Sequence, residues 1–192
     1  MKFKILAMAA AFALAASGAN AGTFQAAPHG SYLLDMDTGD GNFSLWETKD
    51  VADINAVQAH ITFARKGKSK DYAPSFRITL ETAGDVSARV DFSALPKSGP
   101  LIGFVTTFKG RDETGRELII MGPEFAEPFD LKIAWTADGK ISVDTYDKAV
   151  ATIGQGFEHH QADVGQAITA VSVSVSTGEV EFNKLELGTV TP

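Results

Sequence analysis

Phe129-Asp130-Leu131-Lys132-Ile133-Ala134-Trp135 is followed by the turn pair Asp138-Gly139 and then by Ile141 and Val143. Apolar side chains fall at every second position, the period of a strand with one face buried and one wet, and an Asp-Gly pair between two such runs predicts a hairpin. Trp135 shares parity with Phe129, Leu131 and Ile133, so it belongs to the core. The same period recurs on both sides of this hairpin. Val57, Ala59, Ile61 and Phe63 alternate with Gln58, His60 and Thr62; Phe76, Ile78 and Leu80 alternate with Arg77, Thr79 and Glu81; Val86, Ala88, Val90 and Phe92 alternate with Ser87, Arg89 and Asp91. Toward the end, Val171, Val173 and Val175 alternate with serines, Thr177-Gly178 reads as a turn into Val180 and Phe182, and the parity then changes to Leu185 and Leu187. That change predicts a bulge near Asn183 or Lys184.

Less regular candidate strands are Ser31 to Leu34, Phe43 to Trp46, Leu101 to Phe108, Glu117 to Met121 and Ala149 to Ile153, and Asp50 to Ala56 suits a short turn of helix. The sum is an all-β chain, an antiparallel β-sandwich of about ten to twelve strands. An up-and-down β-barrel would alternate in the same way and is the alternative.

Residues 1–21 read as a signal peptide. Lys2 and Lys4 precede an apolar run from Ile5 to Ala16, short for a bilayer core of roughly 30 Å, and Ala19 and Ala21 supply the small residues of a cleavage site. The expected mature chain is one domain, 22–192, exported to the periplasm or the medium. Losing Lys2 and Lys4 makes it two units more acidic than the −7 of the whole chain. Such a surface repels phosphate backbones and anionic lipid, which argues against nucleic acid and membrane surfaces as partners. The chain has no cysteine, which removes disulfides, thiolate metal sites, a cysteine nucleophile and a lipidated cysteine. No second apolar stretch reaches spanning length, so no membrane anchor is expected. Oligomeric state is left open by the sequence.

The stretch Phe129 to Val143 is similar to the hairpin near the end of concanavalin A-like lectin and glucanase domains, Val180 to Leu187 resembles their last strand, and Leu33 to Trp46 resembles their acidic, glycine-rich opening followed by tryptophan. The resemblance implies a jelly-roll of two antiparallel sheets of about six strands each, one of them curved into a face where members bind or cleave glycans. Activity does not follow from the fold.

The glucanase branch carries two glutamates around an aspartate on one strand, and no Glu-x-Asp-x-x-Glu occurs here. Alginate lyases of this architecture use a Gln-x-His strand with an arginine strand and a tyrosine strand. Gln58-Ala59-His60 matches the first by letter, the other two are missing, and ordinary outward strand residues are the preferred reading. Arg77 and Arg89 depend on register. If Thr82 pairs with Val86, Arg77 faces Asp91 and the charges are cross-strand partners; if Glu81 pairs with Asp85, Arg77 faces Arg89 and the pair wants an anion. The first register is preferred. Tyr146 has outward parity and offers a ring to a sugar. Candidate ligand contacts are therefore Gln58, His60, Arg77, Arg89 and Tyr146.

Asp35, Asp37 and Asp40 cluster in a glycine-rich segment, the hard-oxygen chemistry of calcium, although the spacing is not that of an EF-hand and a solvated turn is the simpler reading. Glu158, His159, His160 and Asp163 read as a surface loop rather than a zinc or copper site. Arg65 to Lys70 reads as a solvated basic loop. The chain is thus expected to be a non-catalytic binding protein, with carbohydrate as ligand and calcium as the one candidate cofactor. The competing readings are a polysaccharide lyase or glycoside hydrolase, and a structural or surface-associated protein.

Overall fold

The computed structural model describes residues 23–49, 51–66, 74–94, 101–119, 125–146 and 157–191. The expected signal peptide and the candidate strand Ala149 to Ile153 lie outside them. Among the described residues ten strands follow in chain order: β1 (Thr23–Thr48), β2 (Ala56–Lys66), β3 (Ser75–Thr82), β4 (Val86–Ser93), β5 (Ile102–Lys109), β6 (Asp112–Ile119), β7 (Phe129–Trp135), β8 (Lys140–Tyr146), β9 (Phe157–Asp163) and β10 (Ile168–Thr191). All pairings are antiparallel.

β10 organises the fold. Its first part, Ile168 to Ser176, pairs with β3, its later part, Gly178 to Gly188, pairs with β2, and β1 runs along its other side throughout. The sheet therefore forks at Thr177-Gly178. A front sheet has the order β6-β5-β4-β3-β10-β1 and a back sheet the order β1-β10-β2-β7-β8-β9, six strand segments in each. Thr177 bends the chain with φ 53° and Gly41 bends β1 beside it with φ 77°, tied by a hydrogen bond from Gly41 N–H to Thr177 Oγ1 at 3.2 Å. Thr177-Gly178 is thus the crossing of one long strand between two layers, and not the hairpin turn its Thr-Gly pair suggests. A turn dipeptide marks a local bend, and pairing partners decide whether the chain reverses there.

Every inward run found by parity is inward. Phe63, Phe76, Phe92, Phe129 and Phe182 are fully buried, and Trp135 is 6% exposed. Rings from the two layers meet across the middle: Phe76 of the front sheet lies 5.7 Å from Phe63, 5.7 Å from Phe182 and 6.1 Å from Phe129 of the back sheet. Stacked layers filled in this way make a sandwich with no apolar lumen. Phe182 pairs with Ile61 and Lys184 with His60, so Asn183 is the bulged residue. Thr82 Oγ1 donates to Val86 O at 2.8 Å and closes the β3-β4 hairpin in the register that sets Arg77 opposite Asp91.

Three expectations change. Ser31 to Leu34 and Phe43 to Trp46 belong to one strand, β1. Among the described residues, Ala52 and Asp53 form a turn and no helix precedes Ala56. Glu158 to Asp163 is strand β9, not a loop: of its inward side chains Glu158, His160 and Ala162 only the last is apolar, so the hydrophobic period that reveals a strand is missing.

Candidate functional site

The outward face of the front sheet is built from neighbouring rows. Leu45, Ser174, Arg77, Asp91, Phe104 and Leu118 follow one another from β1 to β6, and Glu47, Ser172, Thr79, Arg89, Thr106 and Arg116 form the next row. Two of these outward residues are recessed, Thr106 at 4% and Ser172 at 8% exposure. Both edges also expose large apolar side chains. Phe43 is 72% and Leu45 58% exposed on β1, and Leu118 is 48% exposed on β6. Two cations lie over rings of β5, Arg116 3.7 Å from the Phe104 centroid and Arg89 4.3 Å from that of Phe108. Stacking of this kind fixes a guanidinium plane and leaves its N–H edges free to point elsewhere.

Charge in the middle of this face is incompletely compensated. Arg77 and Arg89 each bury an Nε without a hydrogen-bond partner. Burial, and after it the nearby Arg77, pushes the Arg89 guanidinium below its ordinary value, while Asp91 opposes that shift. Asp91 itself is pushed up, by desolvation first, against the pull of Arg77, Arg89 and Arg116. The bland reading of the preferred register, in which cross-strand pairing satisfies the charges, therefore needs amending: the register is as expected, yet burial leaves an Nε of each arginine without a partner.

The remaining candidates lie on the opposite surface. Gln58, His60 and Tyr146 face outward from the back sheet, in adjoining rows where Gln58 neighbours Lys132 and His60 neighbours Asp130, itself opposite Tyr146. His60 Nδ1 is 2.8 Å from Asp130 Oδ1, and His159 Nδ1 is 2.6 Å from Asp144 Oδ1 on the same face. The five candidates thus divide between two surfaces separated by the core. The front-face rings Phe104 and Phe108 were missed, although Ile102, Phe104, Thr106 and Phe108 alternate with Gly103 and Val105 and so carry the needed signal.

Asp35 and Asp37 face outward on β1 where it approaches the crossing, and the side chain of Asp40 lies outside the described set. Asp37 is engaged by Arg65, which also reaches Glu179 at 3.3 Å. These partners, with burial opposing them, raise the Arg65 pKa. Arg65 is therefore a bridging residue of β2, not part of a free basic loop. Among the described residues no three carboxylate or imidazole groups converge as a metal would require. At the far seam, His160 of β9 is buried, with Nε2 2.9 Å from Glu158 Oε2 and Nδ1 3.0 Å from Glu117 of β6 but out of line for a hydrogen bond. It is an interior tie between the sheets rather than part of a surface loop.

No family model and no curated sequence matches the chain. Solved structures do. A legume lectin-like domain from Entamoeba histolytica superposes with a TM-score of 0.55 at 9% identity, covering 88% of each chain. The chain has the concanavalin A-like fold. An alginate lyase from Klebsiella pneumoniae shares this concanavalin A-like sandwich at TM-score 0.50 and 12% identity, covering 70% of this chain and 59% of the lyase. The Bacteroides ovatus xyloglucan PUL GH43B does so at 0.53 and 10%, covering 75% of this chain and 29% of its own. The chain spans under two thirds of either enzyme.

Proposed function

We propose that this is an exported, non-catalytic carbohydrate-binding protein that holds its ligand across the outward face of the front sheet. The observation that carries the reading is the composition of that face. Three of the four large apolar side chains exposed among the described residues, Phe43, Leu45 and Leu118, rim it, with Phe104 and Phe108 inside the rim and Arg77, Asp91 and Ser174 between. Sugars present C–H faces that pack on rings and hydroxyls that need fixed donors and acceptors, and this face offers both. Lectin-like and polysaccharide-degrading neighbours share the fold, which is compatible with glycan binding and assigns no reaction.

A lyase would need its polar groups on one surface. Gln58 and His60 face away from Arg77 and Arg89, and His60 is engaged by Asp130. A glycan array read alongside product release tests the proposal. Selective retention of glycans without shortened products is expected, and Phe104→Ala should weaken it. Retention of no glycan would overturn the reading, release of shortened chains would make the protein an enzyme, and capture of proteins alone would make it a surface-associated structural component. Calcium enters only as an added proposal at Asp35, Asp37 and Asp40, because it would have to compete with Arg65 for Asp37.

A further inference from the structure

We infer that the ligand of the front face is an acidic saccharide, whose ring carboxylate is gripped by Arg77 and Arg89. This rests on the carbohydrate reading above and adds the charge of the ligand to it.

The two arginines belong to adjacent rows of neighbouring strands, Arg77 opposite Asp91 and Arg89 opposite Thr79. They are close enough for Arg77 to count among the causes that depress Arg89. The charge of Asp91 acts on both guanidinium groups, and each arginine keeps a buried Nε with no acceptor. A donor buried without an acceptor costs free energy, so each side chain gains by turning its guanidinium toward an acceptor that a ligand brings to the face. What is missing is an acceptor with negative charge and a planar fork, and a carboxylate matches guanidinium in that geometry while a hydroxyl does not.

The neighbouring charges support this placement. Arg116 is already offset by Glu113, 3.8 Å away, and lies over Phe104. Arg89 is held over Phe108, which orders its plane before any ligand arrives. The central excess is therefore local, within a chain whose overall charge is −7. A short acidic glycan can be accepted at such a point, whereas a densely charged polyanion meets the repulsion of the whole surface.

The test compares uronate oligosaccharides (alginate, galacturonan and glucuronan fragments) with the same oligomers after reduction of their carboxyls to alcohols. At least one uronate series should bind the wild-type protein and lose about tenfold or more on reduction, the scale of a charge-assisted contact. Arg77→Gln and Arg89→Gln should erase that difference, Arg89→Lys should restore only part of it, and Lys132→Gln on the back face should leave it intact. Should the glutamine variants fail to fold, the comparison on the wild type still decides. Equal binding of native and reduced oligomers would overturn the inference while the carbohydrate reading stands; binding to sulfated glycans alone would overturn the carboxylate assignment. Binding to no glycan, acidic or neutral, would remove the carbohydrate reading itself.

Discussion

Arg77 and Asp91 stand directly opposite each other on β3 and β4, yet the Asp91 carboxyl titrates above its ordinary range because desolvation outweighs the arginines around it. A raised carboxyl takes up its proton in the folded chain while the unfolded chain, at about 4, is still ionised. The folded state then binds more protons, and the contribution of Asp91 to stability falls as pH rises through that window. Burial sets the shift and Glu113 adds to it, while Arg77, Arg89 and Arg116 oppose it. Asp91→Asn should therefore gain on the wild type as pH is raised from about 4 toward neutrality. Denaturant melts at several pH values check this. An advantage that shrinks with rising pH would mean that the arginines, and not burial, control the carboxyl.

Core and site rings should separate cleanly by mutation. Phe76 is fully buried, with Phe63, Phe92, Phe129 and Phe182 all within ring contact, so Phe76→Ala should cost about 3–5 kcal/mol. Phe104 lies on the outward face beneath Arg116, and Phe104→Ala should cost about 1 kcal/mol or less while weakening glycan retention. Equilibrium unfolding beside glycan binding measures both. A Phe104 variant as unstable as the Phe76 variant would place that ring in the core.

Two glycines with positive φ should respond differently to a methyl group. Gly110 has φ +61° and open space where a Cβ would stand, so Gly110→Ala should show only backbone strain, about 1–2 kcal/mol. Gly139 has φ +88°, and its Cβ would come within 2.3 Å of the Gln166 carbonyl oxygen, a backbone atom that cannot swing aside. Gly139→Ala should cost clearly more than Gly110→Ala in chemical denaturation. Equal losses would show that the 164–166 segment yields freely.

Strand parity is a local property, which is why the burial of Trp135, the Thr82-Val86 closure and the bulge at Asn183 could all be read from the chain. The sheet crossing could not, because Thr177-Gly178 looks the same whether the next residues pair with β10 itself or with β2. β9 escaped for a different reason: it places His160 inward beside Glu158, so its buried side is mostly polar and only Ala162 is apolar there. The candidate site divided because parity says that Gln58 and Arg77 are both outward without saying on which of two sheets. Long-range pairing carries that information.

The Arg65-Asp37 pair lies where β2 meets β1 through β10. Arg65 is about half exposed and touches both Asp37 and Glu179, and exposed pairs of this kind contribute little to stability. A divalent cation can displace so weak a partner if Asp35, Asp37 and Asp40 supply enough oxygen, and binding to the folded state alone would raise the melting temperature by mass action. Millimolar calcium should then give a small lift in the wild type and a larger one in Arg65→Gln, where the competing cation is gone. Asp37→Asn should abolish both. Magnesium should do less, since its small, rigid shell fits a bent acidic strand poorly. Thermal melts in calcium, magnesium and chelator decide between ion and ion pair: if Arg65→Gln melts at one temperature in all three, the corner is held by the Arg65-Asp37 contact alone.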